Sequence, residues 1–346
     1  MKHSMKLGLS AAATGLLGLA LAPATVSADE TYTWRVQSHW PSASSSYGDS
    51  LETLKEKLYE RTDGRLELEL HEAGSLFGHD EIFSAVSRGT LDMGTISPAY
   101  EMDRLSTAGI AFGLPNGFQE TWEAAYFFKH KGFEEMIREE AAEYDVAYFT
   151  EKVYPTEMVL SEPIESLSDF EGLNIRSSGV LQTFLTEAGA AASNIPGEEL
   201  YQALQTGVVD GAHWGAVQGA MSMSLYEVAP YHVRPPLNIG GIDAYVISQD
   251  SLDELPDDIR KTVEDTIEEQ FWRRTNEYIY QEQAALAHSK EEYGVEVIEL
   301  PDEVQDAMLE AAESIWDDQA AESERAAEAV ELMRELLADL GHIDEE

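Results

Sequence analysis

Apolar and polar side chains alternate from Tyr32 to Gln37, the period-2 pattern of a half-buried strand. A period near 3.6 then predicts a helix from about Tyr47 to Arg61, stopped by Asp63-Gly64, and alternation returns in the strand Leu66 to Leu70. Residues 101–116 read as irregular, and Glu120 to Glu143 reads as one amphipathic helix. From Val146 the pattern restarts with a strand to Phe149, a second around Met158 to Ser161, a turn from Pro163 to Gly172, and a strand Leu173 to Arg176 that runs into a helix at Ser177-Ser178-Gly179. A further helix ends near Leu225, an aromatic and proline-rich segment covers Tyr226 to Pro236, and a strand covers Asp243 to Ser248. Neither Gly nor Pro interrupts the 37 residues from Asp257 to Tyr293. A helix of that length is about 55 Å long, more than the diameter of one lobe, so it must touch two. A short strand in Val295 to Leu300 and a charged, alanine-rich helix from Asp302 to Leu340 complete the pattern. That last helix reads either as a solvated amphipathic helix on its own lobe or as a dimerisation arm.

One stretch repeats. Glu81-Ile-Phe-Ser-Ala-Val-Ser-Arg-Gly-Thr-Leu-Asp-Met-Gly94 has the same order of residue types as the segment starting at Glu199, 118 residues later, without a gap. Phe83 answers Tyr201, Ala85 answers Ala203, Gly89 answers Gly207 and Asp92 answers Asp210. Each copy reads as a helix stopped by a left-handed glycine, then a strand that ends beside an acidic residue fixing the turn. Two such units imply two similar α/β lobes with something held between them. The expected lobes are residues 29–150 with about 240–275, and residues 151–239 with about 276–346.

The first 28 residues change the compartment. Lys2 and Lys6 precede a short apolar run from Leu7 to Leu21 and the small residues Val26-Ser27-Ala28, the pattern of a secretory signal peptide cleaved after about Ala28. The expected location is therefore the periplasm. The chain carries 22 basic and 66 acidic side chains, a formal charge of −44, and cleavage removes two Lys and no acid. Such a charge makes nucleic acid and anionic membranes poor partners. Because the acids are spread over every segment, the composition reads as an adaptation to concentrated salt, where screening lengths fall to a few Å. The plainer alternative is a merely acidic protein. With no cysteine, stability must come from packed cores, and 43% hydrophobic residues supply them.

Candidate chemistry collects where strands end, since ligands of α/β sheets bind outside the carboxyl ends of strands. The loop after the first strand, Ser38 to Ser46, brings hydroxyls with His39 and Trp40. Tyr100 closes the segment after the first repeat, and Arg176 sits where a strand stops and a helix begins, a good place for a carboxylate. His213 and Trp214 form the tip of the second repeat, and Gln205 is a further candidate hydrogen-bonding group. Each residue also has an ordinary structural reading, as a cap, core or surface side chain. For an enzyme the sequence offers no H-E-x-x-H, G-x-S-x-G, phosphate loop, Rossmann glycine motif or cysteine nucleophile. Only a hydrolase triad assembled in space from Asp210, His213 and a serine stays open.

Pro163-Ile-Glu-Ser-Leu-Ser-Asp-Phe-Glu-Gly-Leu-Asn-Ile-Arg-Ser-Ser-Gly179, then Glu199 to Gly211 and Leu225 to Tyr231, resemble the substrate-binding proteins of tripartite ATP-independent periplasmic (TRAP) transporters, the DctP-like family. Ala73 to Leu76, Glu81, Gly89 to Asp92 and the long helix carry the likeness into the first half. The resemblance implies a two-lobe α/β clamshell that closes on a small organic anion and passes it to integral-membrane subunits, as a monomer or homodimer. It implies a carboxylate salt bridge at Arg176. Trp214 resembles the branch that binds 2-oxo and related monocarboxylates; C4-dicarboxylates, sugar acids and aromatic acids are the alternatives, and a ligand-presenting sensor component is the alternative class. In that branch an acidic residue before the Trp can help hold a metal ion. Here that position is His213, one neutral nitrogen with no charge to offer a hard cation, so no metal or other cofactor is expected.

Overall fold

The alternation from Tyr32 to Gln37 becomes a strand that builds the first half of one mixed sheet. The computed structural model describes Met1 and residues 30–344, so the signal peptide expected at residues 1–28 lies outside the described residues. The strands are β1 (Tyr32–Gln37), β2 (Leu66–His71), β3 (Met93–Ile96), β4 (Val146–Leu160), β5 (Asn174–Arg176), β6 (Ala191–Ser193), β7 (Gly211–His213), β8 (Tyr231–Ser248) and β9 (Glu296–Ile298). Their order in the sheet is β2-β1-β3-β8-β4-β7-β5-β6, with β9 on β8.

Two strands run through both lobes. Val146 to Thr150 of β4 pair antiparallel with Ala244 to Ser248 of β8, beside β3. Met158 to Leu160 pair with Tyr231 to Val233, beside β7. Between these ends the register slips at Thr150/Lys152, Tyr154/Pro155 and Thr156/Met158. Pro155, Pro235 and Pro236 lie inside these strands, so each reads from sequence as two separate pieces.

The lobes share one wiring. In the first, β1 is flanked by parallel β2 and β3 and β3 meets β8 antiparallel; in the second, β5 is flanked by parallel β6 and β7 and β7 meets β4 antiparallel. The repeat seen in the sequence is the middle of that unit: helices Ile82–Ser87 and Gly197–Gln205, then Gly89 at φ +64° and Gly207 at φ +70°, then β3 and β7. The acids do not stand at the ends of these strands, as expected, but just before their starts. Asp92 accepts from the Arg35 N–H at 2.7 Å and donates its own N–H to the Arg35 carbonyl at 3.1 Å. Asp210 does the same to Asn174, at 3.0 and 2.7 Å. Each acid thus locks the strand that follows it to the parallel strand beside it.

The uninterrupted run forms one helix, Asp257–Glu292. Its first turns bury Ile259, Val263 and Ile267 against Trp34, Leu54 and Leu68, and its last turns bury Ala285 with Leu200 and Val217. It therefore ties the two cores together, as its length requires. Two other expected helices are each divided. Glu120 to Glu143 becomes Thr121–His130 and Phe133–Ala142, because Gly132 takes φ +93° between them. Asp302 to Leu340 becomes Asp302–Ala321 and Glu324–Asp339, because the Ser323 hydroxyl accepts from the Ala326 N–H and starts a new helix. Both bury apolar faces, through Ile315, Val330 and Met333, in the core that contains Phe127, Phe133, Val180 and Phe184.

Candidate functional site

The carboxyl ends of β1, β3, β5 and β7 converge on one cavity of about 50 Å³, closed below by the middle of β4 and β8. At about 10–15 Å³ per water, that is room for roughly three to five waters. His39, Trp40, Tyr100, Arg176, His213 and Trp214 all line it. Gln205 does not: it is exposed on the outer face of its helix, whose Leu200, Ala203 and Leu204 point inward, and its amide reaches the Tyr201 hydroxyl.

Arg176 ends β5 with its side chain only 2% exposed. Its Nε donates to the Ile195 carbonyl at 3.0 Å, one Nη to the His213 carbonyl at 3.0 Å and the other Nη to the Tyr100 hydroxyl at 3.3 Å. A guanidinium has five N–H donors, so one remains on each Nη. Among the described residues no carboxylate pairs with it. The Trp214 ring lies 5.2 Å from the guanidinium, a cation–π contact. Trp214 is itself wedged by two glycines: a Cβ on Gly197 would come within 2.2 Å of the indole, and one on Gly219 within 2.0 Å of the Trp214 carbonyl.

His213 ends β7, and its Nε2 lies 2.9 Å from the Ser177 hydroxyl. Burial, then the Arg176 charge, holds its pKa well below the usual 6.5, so the ring is neutral. Asp210 is turned to Asn174, which takes it out of any triad with His213 and Ser177. Tyr100 is also a neutral hydrogen-bonding group: burial raises its pKa, with Arg176 opposing.

A second polar centre was not anticipated from sequence. Lys152 and Asp243 are cross-strand partners in the middle of β4 and β8, and both line the cavity. Asp243 accepts from Trp40 Nε1 at 3.2 Å and the Tyr154 hydroxyl at 3.1 Å, and lies 3.4 Å from both Lys152 Nζ and His39 Nε2. Burial alone would raise its pKa, but Lys152, His39 and Tyr154 outweigh it and hold the acid ionised. The signal in the sequence was charge inside otherwise apolar strand patterns: Glu151 and Lys152 within Val146–Leu160, and Asp243 within Tyr231–Ser248.

Contacts also join the two lobes over the cavity. The Ser45 hydroxyl donates to the Gln218 amide oxygen, the Ser45 N–H to the Ser222 hydroxyl at 3.2 Å, and Trp214 Nε1 to the Ser44 hydroxyl at 3.4 Å. For a metal the donors are unfavourable: among the described residues no three His, Asp or Glu side chains are grouped to hold an ion. A hard cation needs six or more oxygens, mostly carboxylate or carbonyl, whereas the position before Trp214 offers a neutral imidazole beside a guanidinium.

A cavity between two similarly wired lobes, lined by cations and aromatic rings, is that of a two-lobe solute-binding protein. The chain belongs to the bacterial extracellular solute-binding proteins, family 7 (DctP), which it matches over residues 37–323. It is 26% identical to the monocarboxylate 2-oxoacid-binding periplasmic protein of Nostoc sp. (strain PCC 7120) over 204 residues, 58% of this chain and 56% of that protein. The chain thus spans little more than half the length of that relative. Among solved structures it resembles a TRAP periplasmic solute-binding protein from Chromohalobacter salexigens with bound (S)-(+)-2-amino-1-propanol, at 25% identity and TM-score 0.83, covering 90% of this chain and 97% of that one. It also shares the fold of one from Pseudoalteromonas atlantica T6c with bound sodium and pyruvate, at 22% identity and TM-score 0.82, covering 90% and 96%. The family and these neighbours are solute receptors, not enzymes. Among the described residues no helix is long and apolar enough to cross a membrane.

Proposed function

We propose that this chain is the periplasmic receptor of a TRAP transporter, exported by the signal peptide in residues 1–28, and that it encloses a small 2-oxo or 2-hydroxy monocarboxylate for delivery to integral-membrane subunits. The observation that carries the reading is Arg176, a buried guanidinium that lines the cavity, with one N–H on each Nη left over by donor count and no carboxylate partner among the described residues. A cation in that state is costly unless an anion completes it, and a carboxylate can accept from both Nη atoms.

Size narrows the acid. A cavity of about 50 Å³ suits three or four carbons better than a sugar acid or an aromatic acid. At a ceiling of roughly 1.5 kcal/mol per heavy atom, a six-atom acid such as pyruvate gains at most about 9 kcal/mol, and micromolar affinity needs about 8. Such a ligand must therefore be shielded from water once bound, with Trp40, Tyr100, His39, His213 and Trp214 as its walls. An amino alcohol, by contrast, would need a free anion, and Asp243 already accepts from Trp40 and Tyr154 and stands beside the Lys152 cation. The donor set also argues against a sodium or calcium ion beside the ligand.

A thermal-shift screen of small carboxylates followed by calorimetry with pyruvate and lactate tests the proposal. Binding of either at micromolar affinity is the expected result. Stabilisation by amines or neutral solutes, with no response to any carboxylate, would overturn it.

A further inference from the structure

β4 changes its face at one residue. Thr150 pairs with Ala244 and Lys152 with Asp243, so Glu151 is an extra residue opposite the junction of two on β8, a β-bulge. The bulge lets two consecutive charged side chains turn inward, and both are buried to 1% or less. Glu151 Oε1 accepts from the Ser50 hydroxyl of the segment Tyr47–Glu52 and lies 3.9 Å from Arg274 of the long helix. Lys152 turns into the cavity.

The three ammonium protons of Lys152 are unequally matched. Glu151 Oε2 takes one at 2.7 Å and the Ser46 hydroxyl a second at 3.1 Å, but Asp243 Oδ2 lies 3.4 Å away, beyond the usual N–H···O range. Around it stand the rings of Tyr154 at 4.8 Å, Trp40 at 5.3 Å and Tyr278 at 5.4 Å, all of which also line the cavity. A chain of contacts along the cavity wall, Lys152–Asp243–His39–Tyr100–Arg176, links the two cations.

We propose that Lys152 is the specificity-determining residue of the site, donating its poorly matched proton to an oxygen of the ligand other than those held by Arg176. The inference rests on the carboxylate reading of Arg176. It assigns the division of labour within the site: Arg176 recognises the acid, and Lys152 requires an acceptor oxygen on the adjacent carbon. Its charge is balanced inside the protein by Glu151 and Asp243, so an acid with one negative charge is enough.

The test is calorimetry of the purified protein and of Lys152→Met with pyruvate, lactate and propionate, which keeps the carboxylate and lacks the second oxygen. The wild type should prefer pyruvate or lactate to propionate by at least about tenfold, the worth of one charge-assisted hydrogen bond. In Lys152→Met that ratio should fall below about threefold whatever the common loss of affinity for all three acids, a change of selectivity that loss of a structural ion pair alone does not produce. An unchanged ratio in the variant, or no preference in the wild type, overturns the role of Lys152 and leaves the carboxylate reading standing. No binding of any of the three by the wild type overturns both. Should Lys152→Met fail to fold, a crystal structure of the wild type with pyruvate decides. A ligand 2-oxo oxygen within about 3.2 Å of Lys152 Nζ supports the inference, and one held elsewhere overturns it.

Discussion

Arg176→Met removes the guanidinium and keeps much of the side chain's length against Trp214. Arg176 lines the cavity and has one N–H on each Nη left over by donor count, so if it holds the carboxylate as proposed, the variant loses a two-bond contact to the ligand. Each charge-assisted hydrogen bond is worth roughly 1.5–3 kcal/mol, or roughly 3–6 for two. With tenfold per 1.4 kcal/mol, pyruvate affinity should fall at least about 100-fold. Stability should respond much less, because two effects oppose each other. The variant breaks bonds to Ile195, His213 and Tyr100, but it also removes a buried cation that no carboxylate compensates. The unfolding midpoint without ligand should move by no more than the few degrees that about 1 kcal/mol represents. Calorimetry and thermal unfolding on the same preparation separate the two. A folded variant that binds pyruvate within about threefold of the wild type would refute the assignment of Arg176.

Three further outcomes follow from the geometry. Dialysis against chelator, with sodium replaced by choline, should leave pyruvate affinity within about twofold, because the donor set does not suit a hard cation; a loss restored by calcium or sodium would contradict this. Gln218→Ala removes the acceptor of the Ser45 hydroxyl across the cavity and should weaken binding roughly two- to tenfold, with a larger scattering radius in the presence of subsaturating pyruvate; an unchanged affinity and radius would show that this bond does not hold the lobes closed. Glu101 is fully buried, and burial raises its pKa from 4.5 to about 8 against the opposing charge of Arg104. Between those values the folded state holds a proton that the unfolded state releases, so this group's contribution is greatest below pH 4.5 and declines as pH rises towards 8. Glu101→Gln should therefore gain on the wild type from pH 5 to 8, by up to about 1.4 kcal/mol per pH unit in urea unfolding; parallel stability curves would show that Glu101 is ionised throughout.

The parts of the fold that were legible in the sequence are those set by local pattern. β1, β2, the long helix and the repeated helix–glycine–strand unit each carry their own periodicity and stop signals within a few residues. Arg176 was legible for the same reason, since its strand and helix meet at the residue itself. The division of the longer helices was signalled by Gly132 and Ser323, but amphipathic runs on either side outweighed them. Lys152 and Asp243 escaped because nothing local brings them together: they are 91 residues apart, and a bulge, not strict alternation, turns Lys152 inward. Gln205 was misplaced in the opposite way. It lies close in sequence to the strand end that forms the cavity, but the phase of its helix sends it outward.

The shared wiring of the lobes explains why the acid should be read from one side. Arg35 and Asn174 occupy matching places, each locked by its aspartate, so Gln37 of β1 matches Arg176 of β5, and Thr95 of β3 matches His213 of β7. In the first lobe these positions are engaged by its own loops. Gln37 exchanges hydrogen bonds with the backbone of Phe77 at 2.6 and 2.9 Å, and Thr95 accepts from the His39 N–H at 3.0 Å. In the second lobe the same two positions hold a guanidinium with donors to spare and the neutral ring beside it. The pseudo-symmetric scaffold therefore carries asymmetric chemistry. If Arg176 holds the carboxylate as proposed, the second lobe carries an anion site before the lobes meet, and the first lobe adds mainly aromatic walls. Closure then completes the site by bringing His39, Trp40 and Tyr100 over an acid already oriented, with Lys152 on the strands that both lobes share.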